Sequence, residues 1–340
     1  MRVDARDPAA LERVAGVPLV LRHARLLARE GQTSARFFVA GEAERAAAAA
    51  ALARAPAGLA VEVVAGAPDG PALDGAKVYV AGLEPVGDAR TPTGRSAAER
   101  RLFRLLRKSV DLDGVVAYYA MRPLSRLLTR LLLPTPVTPN QVTMLALLSG
   151  VTAAISAASG EYAIAGILFW LGAAMDCVDG DLARLRLQGS RLGEWLDTLA
   201  DDVSTLGLLL GLGVGLAADG YGPTWQLLGI VGALCGLGTE AKLYLDLHRL
   251  GLPIDTAQYP WFFGSPGGRP GRLGRAFYAC SFLFRRDAFV TLVAILLCGG
   301  ARRAPFLILF GGALVFAGML AVHMWVTRRR QLGGILATNK

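Results

Sequence analysis

The chain has 340 residues, 53% of them hydrophobic, with 36 Lys and Arg against 27 Asp and Glu and a formal net charge of +9. Its mean hydropathy of +0.43 excludes a wholly water-soluble protein and suits one that keeps its C-terminal two-thirds in lipid. The basic excess does not indicate nucleic acid, because the arginines gather at the ends of apolar runs, where they fit positive-inside anchoring and contact with anionic lipid.

Residues 1–95 have soluble composition and predict a small cytoplasmic α/β domain. An amphipathic pattern from Leu11 to Arg29, an apolar patch at Phe37-Phe38-Val39-Ala40 and an alanine-rich helix near 43–54 come first. Strand-like runs at Val61–Val64 and Lys77–Val80 follow. The first residues lack the basic-then-apolar pattern of a cleaved signal peptide, so internal spans are expected to direct insertion. The stretch 86–98, rich in Gly, Pro, Thr and charge, reads as a linker. Residues 96–137 then predict a linker and an interfacial amphipathic helix, with Arg100, Arg101, Arg104, Arg107, Arg122, Arg126 and Arg130 interleaved with Leu. Prolines forbid a helix until Pro139, which suits a first helical turn capped by Thr138.

Residues 138–330 predict a transmembrane domain. At about 20 apolar residues per crossing there are six expected spans: 141–159, 162–184, 194–217, 225–246, 286–301 and 304–326. The fold class is thus a mainly α membrane protein, a six-helix bundle behind a small α/β domain. Arginines in the 247–286 loop (Arg249, Arg269, Arg272, Arg275, Arg285, Arg286) and at Arg328–Arg330 place both termini in the cytoplasm. Arg302 and Arg303 fall on the outer side and run against that rule. Cys177, Cys235, Cys280 and Cys298 have neither zinc-like spacing nor a paired framework, so reduced thiols are expected. His23, His248 and His323 are isolated.

The informative stretch runs from Asp176 to Asp201. Asp176, Asp179, Gly180, Ala183 and Arg184 share one helical face at 3.6 residues per turn, and Asp197 and Asp201 stand one turn apart on the next helix. The connection from Leu185 to Leu192 lets the two helices run antiparallel, with the carboxylates facing one another at the cytoplasmic ends. Without partners these carboxylates would repel. Divalent ions resolve the repulsion: carboxylate oxygens suit Mg²⁺ or Mn²⁺, and two such ions can clamp an in-line phosphoryl displacement. One intramembrane Asp pair alone would read as a structural hydrogen-bonding device. Four carboxylates with Gly180, Ala183, Gly193 and Arg184 in register describe a pocket.

The string Asp176-x-x-Asp179-Gly180-x-x-Ala183-Arg184, eight residues, Gly193-x-x-x-Asp197-x-x-x-Asp201 resembles the signature of the CDP-alcohol phosphotransferase family at every fixed position. The resemblance covers roughly residues 100–330 and implies a six-helix membrane fold, often dimeric. It implies that Asp176, Asp179 and Asp197 ligate metal and that Asp201 is the general base, touching the second metal too. Gly180, Ala183, Arg184 and Gly193 would shape the CDP site, joined by Asn140 and Thr143 in a segment similar to one ahead of the first span in many members. The implied reaction moves a phosphoalcohol group, phosphatidyl or phosphopolyol, from a CDP-linked donor to a hydroxyl or polyol-phosphate acceptor and releases CMP.

A phosphorylated acceptor needs cations, for which Arg191 and Lys242 are candidates, with Arg122 and Arg126 behind them; each has an alternative role as an interfacial anchor. Many members acting on phosphorylated acceptors carry a basic residue after the last motif Asp, whereas Asp202 stands here. Two other readings remain open. One is an enzyme joining a CDP-polyol to a polyol phosphate to make a soluble phosphodiester. The other is a non-catalytic cation transporter, although transporter sites favour broken helices at the midplane. Residues Leu11–Arg22 and the segment to Val39 are also similar to sugar-phosphate nucleotidyltransferases just downstream of their Gly-rich loop. Some fifteen residues precede Gly16, which leaves no room for that loop, so a shortened, inactive relic is expected.

Overall fold

The computed structural model describes residues 1–106, 115–252, 259–261 and 286–338, with side chains described up to 328. Arg107, Arg269, Arg272, Arg275, Cys280 and Arg285 lie outside the described residues. Contacts group the chain into two compact units: Met1–Lys108 with Arg126–Pro139 and Val178–Gly189, and Ser109–Ser125 with Asn140–Cys177 and Ser190–Lys340.

The first unit is built on a parallel sheet of order β5-β4-β1-β6, from β1 (Arg2–Asp4), β4 (Ser34–Val39), β5 (Ala60–Ala65) and β6 (Leu73–Asp74). Helices α1 (Leu19–Arg29) and α2 (Glu42–Leu52) make the crossovers that parallel strands require. Val3, Phe37 and Val39 from the strands, Val20, Ala24 and Leu27 from α1, and Ala48 and Leu52 from α2 form one core. Glu42 and Glu44 sit in the first turn of α2, where they complement the positive end of the helix dipole.

The structure changes the reading of two segments. Leu11–Pro18 does not extend α1. It forms the hairpin β2 (Arg13–Val14) and β3 (Val17–Pro18), whose turn residues Ala15 and Gly16 both have positive φ, 52° and 75°. The expected linker at 86–98 is folded: β8 (Pro85–Asp88) pairs with β7 (Lys77–Tyr79), and α3 (Pro92–Leu105) starts directly after it. Thr91 caps α3 by accepting from the Gly94 amide at 3.0 Å, with Pro92 in the first turn. Thr, Pro and Gly serve here as a helix start, which composition alone does not distinguish from a loop.

After α4 (Arg122–Leu132) come α5 (Pro139–Ala158), α6 (Tyr162–Leu185), α7 (Arg191–Leu216), α8 (Thr224–Arg249), α9 (Arg286–Cys298) and α10 (Arg303–Thr338). Five of these helices, α5 to α8 and α10, are long and apolar enough to cross a membrane. The expected fifth of six spans corresponds to α9, which has 13 residues and reaches about 20 Å, short of a 30 Å hydrocarbon core. Among the described residues, five of the six expected spans thus have helices long and apolar enough to cross, and the described part of the fifth is shorter than a crossing.

Small residues bring α5 and α7 close. A Cβ on Gly211 would lie 2.2 Å from the Ala154 oxygen, and one on Gly215 would lie 2.1 Å from the Ala157 oxygen. Leu208, Leu212, Leu216, Phe169, Val293 and Phe306 fill the second unit's core. Leu148, Ile155, Ile167, Leu234, Ile295 and Leu307 point outward and exposed, a surface suited to lipid rather than water. At the far end of α7, Asp219 accepts from Tyr162 Oη and from Arg302, each at 2.8 Å, while Arg303 lies over the Tyr221 ring. The two arginines that ran against the charge rule are thus held by local partners.

Candidate active site

Two helix ends build the site. α6 presents Asp176 and Asp179 one turn apart before it stops at Leu185, and the chain reverses through Leu187, whose φ is +53°. Ser190 then caps α7 by accepting from the Gly193 amide at 3.0 Å, which sets Asp197 and Asp201 in the first turns of that helix.

Ligand atoms of Asp176, Asp179 and Asp197 lie within 4.8 Å of one another, and Asp179 is only 5% exposed. At such spacing, like charges repel by roughly 3–4 kcal/mol per pair at an effective dielectric of about 20. An all-oxygen set of converging carboxylates fits a hard divalent cation such as Mg²⁺ or Mn²⁺.

Asp201 takes a different partner. Arg286 donates to its carboxylate and also lies 3.4 Å from Asp176. A guanidinium therefore lies at Asp201, the carboxylate that the resemblance also offers to a second metal. Arg286 is the site residue that sequence reasoning missed, having been counted only among the basic residues of a loop. Its signal was a charge at the head of an apolar run, which marks a candidate functional position in a membrane protein. Small side chains, Ala146, Gly150, Gly172, Ala173 and Ala200, line a pocket beside Asp201 and Arg286.

The remaining candidates divide. Asn140 and Gly193 come together: a Cβ on Gly193 would lie 3.1 Å from Asn140 Oδ1. Thr143 is buried on α5 and Ala183 is half-buried on α6. Arg184 donates to Asp181 at 2.6 Å, and its guanidinium lies 3.3 Å from where a Gly180 Cβ would be. Of the acceptor candidates, Lys242 is ion-paired with Asp246 one turn along α8, and Arg191 is exposed at the start of α7. Arg122 is buried, with Nη1 donating to the Cys177 oxygen at 3.4 Å, which does not suit an interfacial anchor. Asp202 accepts from the Tyr244 hydroxyl, with Trp195 packed edge-on at 5.8 Å, so the departure at this position joins α7 to α8.

Known proteins share this segment. The sequence model of the CDP-alcohol phosphatidyltransferase family matches residues 136–245. A bifunctional IPC transferase and DIPP synthase of Thermococcus kodakarensis is 36% identical over 142 residues, 40% of this chain and 32% of that protein. The like-named protein of Aquifex aeolicus is 29% identical over 42% of this chain and 31% of its own length. A phosphatidylinositol phosphate synthase of Mycobacteroides abscessus is 32% identical over 33% of this chain and 51% of its own. A solved phosphatidylinositol phosphate synthase of Mycobacterium tuberculosis, with CDP-DAG bound, gives a TM-score of 0.43 at 18% identity, covering 61% of this chain and 94% of that one. The chain spans about a third of the length of the bifunctional relatives it matches. Residues 136–245, the segment that matches the CDP-alcohol phosphatidyltransferase family model, carry all four motif carboxylates.

Proposed function

We propose that the chain transfers a phosphoalcohol group from a CDP-linked donor to a hydroxyl acceptor and releases CMP. The observation that carries this reading is the convergence of Asp176, Asp179 and Asp197 within 4.8 Å, on the segment that matches the family. These three residues would hold Mg²⁺ or Mn²⁺, which when bound supplies charge neutralisation for a leaving phosphate. Gly180 and Gly193 keep the helix surfaces low enough for the donor to approach; the nearest atoms to a Gly180 Cβ would be those of the Arg184 guanidinium, at 3.3 Å and beyond. The acceptor oxygen bonds to the phosphorus that carries the donor's alcohol, and the bond to the CMP oxygen breaks. Asp201 takes the hydroxyl proton, and Arg286 holds that carboxylate in place.

Relatives named archaetidylinositol phosphate synthase and phosphatidylinositol phosphate synthase support a phosphorylated polyol acceptor, with Arg191 and Lys242 as its cation candidates. The bifunctional relatives keep the soluble-phosphodiester reading as the alternative. Unbroken α6 and α7 around the carboxylates disfavour a transporter. We further assign the termini and site to the cytoplasmic side and the working form to a homodimer in lipid. For the N-terminal unit the relic reading is supported by Arg90, which binds Asp7, Asp74 and Asp88 beside the carboxyl ends of β1 and β6. That is where an open parallel sheet would otherwise take a ligand.

Purified protein in lipid, given CDP-diacylglycerol or a CDP-polyol and a panel of polyol phosphates, tests the proposal by CMP release. The expected result is release that needs Mg²⁺ or Mn²⁺ and vanishes in Asp176→Asn and Asp179→Asn. Release that persists in excess chelator, or in either variant, would sink the metal-site reading.

A further inference from the structure

The α6 helix that carries the motif does not finish itself. Backbone amides satisfy part of its last turn: Arg186 N–H donates to the Leu182 oxygen at 2.9 Å, and Gln188 N–H donates to the Ala183 oxygen at 2.8 Å. This is the closure expected around a left-handed residue, here Leu187. Leu187 N–H donates to the Arg184 oxygen at 3.3 Å, and the two carbonyls after it are taken by α1 of the N-terminal region. Arg22 Nη1 donates to the Leu185 oxygen, and Arg25 Nη1 donates to the Arg186 oxygen at 2.8 Å. Arg186 in turn holds the loop ahead of α5, donating to the oxygens of Leu132, Leu133, Thr135 and Val137. Gly16 abuts the same loop, where a Cβ would lie 1.9 Å from the Leu133 oxygen.

This arrangement is costly for a passenger domain. Arg22 is 2% exposed and Arg186 is 4% exposed, and among the described residues neither they nor Arg25 pair with a carboxylate. Burial and neighbouring arginines push Arg22 down to about 10. What balances Arg22 and Arg25 is the carbonyl-rich end of a helix, where a backbone favours positive charge, and Arg186 is balanced by the four carbonyls ahead of α5. A Leu in the left-handed region adds local strain that its surroundings must hold. Gly180, Ala183 and Arg184 lie within two turns of that end, and Asp179 lies less than two turns before it.

We infer that Arg22 and Arg25 are positioning residues for the transferase site: from the N-terminal α/β region they close the last turn of α6 and hold Asp179 and the Gly180–Arg184 face in register. The inference rests on the proposed function for its consequence, but its geometry lies wholly among residues that pack as one unit. A shortened nucleotidyltransferase-like region would on this account have been retained as a brace for the catalytic helix.

The test uses the full-length protein in lipid and three readouts: Mn²⁺ binding followed by electron paramagnetic resonance, hydrogen exchange of amides 179–188, and CMP release. Arg22→Met should weaken Mn²⁺ binding about tenfold and speed exchange across 179–188. Arg22→Lys, which restores the charge with one compact donor group, should recover at least half of that loss. Arg29→Met, at an exposed position on the same helix, is the control and should leave both unchanged. If Arg22→Met does not fold, Arg22→Lys carries the test, with an expected weakening of about threefold. Mn²⁺ affinity within twofold of the parent in every folded variant overturns the inference, whether or not exchange has changed. A parent protein that binds Mn²⁺ but releases no CMP from any donor would overturn the proposed function, and the first two readouts would still decide the role of Arg22.

Discussion

Arg286 donates to the carboxylate of Asp201, and the same guanidinium lies 3.4 Å from Asp176. One cation at the head of α9 therefore joins carboxylates from α6 and α7, beside the trio that would hold metal. Removing it has two separable effects. Arg286→Gln should leave the cluster more negative, so half-saturation by Mg²⁺ should come at a concentration about threefold to tenfold lower. Turnover at saturating Mg²⁺ should fall at least tenfold, because Asp201 loses the partner that orients it. A Mg²⁺ titration of CMP release reads both. A higher Mg²⁺ requirement would show instead that Arg286 organises the ligands.

Asp201 and Asp179 should respond differently to the same change. Asp179 belongs to the converging trio, whereas Asp201 is paired with Arg286. Asp201→Asn should abolish turnover yet weaken equilibrium binding of a CDP-linked donor with Mg²⁺ much less than Asp179→Asn does, because an amide keeps the shape but accepts no proton. Equal loss of donor binding in the two variants would make Asp201 chiefly a metal ligand.

The N-terminal unit should be acid-labile. His23 is buried, with Nε2 on the Lys77 oxygen at 3.0 Å and its ring edge-on to Tyr79. Burial pushes it from 6.5 down to about 4, despite the nearby Asp74. The folded state then binds fewer protons than the unfolded state between those values. Stability is complete above pH 6.5 and declines as pH falls toward 4, by about 3 kcal/mol at most. Hydrogen exchange of β1 and β4 amides, corrected for intrinsic rates, should show weaker protection at pH 5 than at 7.5. His23→Gln should flatten that difference, and an unchanged slope would assign the effect to other groups.

Asp219 should matter for stability and not for chemistry. It holds Tyr162 and Arg302, roughly 30 Å along the α7 axis from Asp197. Asp219→Ala leaves both partners short of an acceptor and should cost about 1–3 kcal/mol, seen as a lower unfolding temperature in detergent. CMP release measured well below that temperature should stay within twofold of the parent.

Much of this protein can be read from residue spacing. The intervals between Asp176, Asp179, Gly180 and Ala183, and between Asp197 and Asp201, fix which side chains share a helix face, because 3.6 residues per turn is a local property. Hydropathy fixes the long apolar helices for the same local reason, and the strands at Phe37–Val39 and Val61–Val64 fall where β-branched and aromatic residues cluster. The folded stretch at 86–98 was hidden because capping residues and loop residues have the same composition.

Partnerships between distant elements are not local, and only the tertiary structure decides them. Arg22 and Leu185 are 163 positions apart, and nothing in either segment announces the other. Arg286 was legible as a charge beside an apolar run, but its role came from the packing of α9 against the ends of α6 and α7. A guanidinium wholly or partly withdrawn from water is stable only where the fold collects acceptors for it. Those acceptors, a helix's last carbonyls for Arg22 and two carboxylates for Arg286, come together only when the chain has folded.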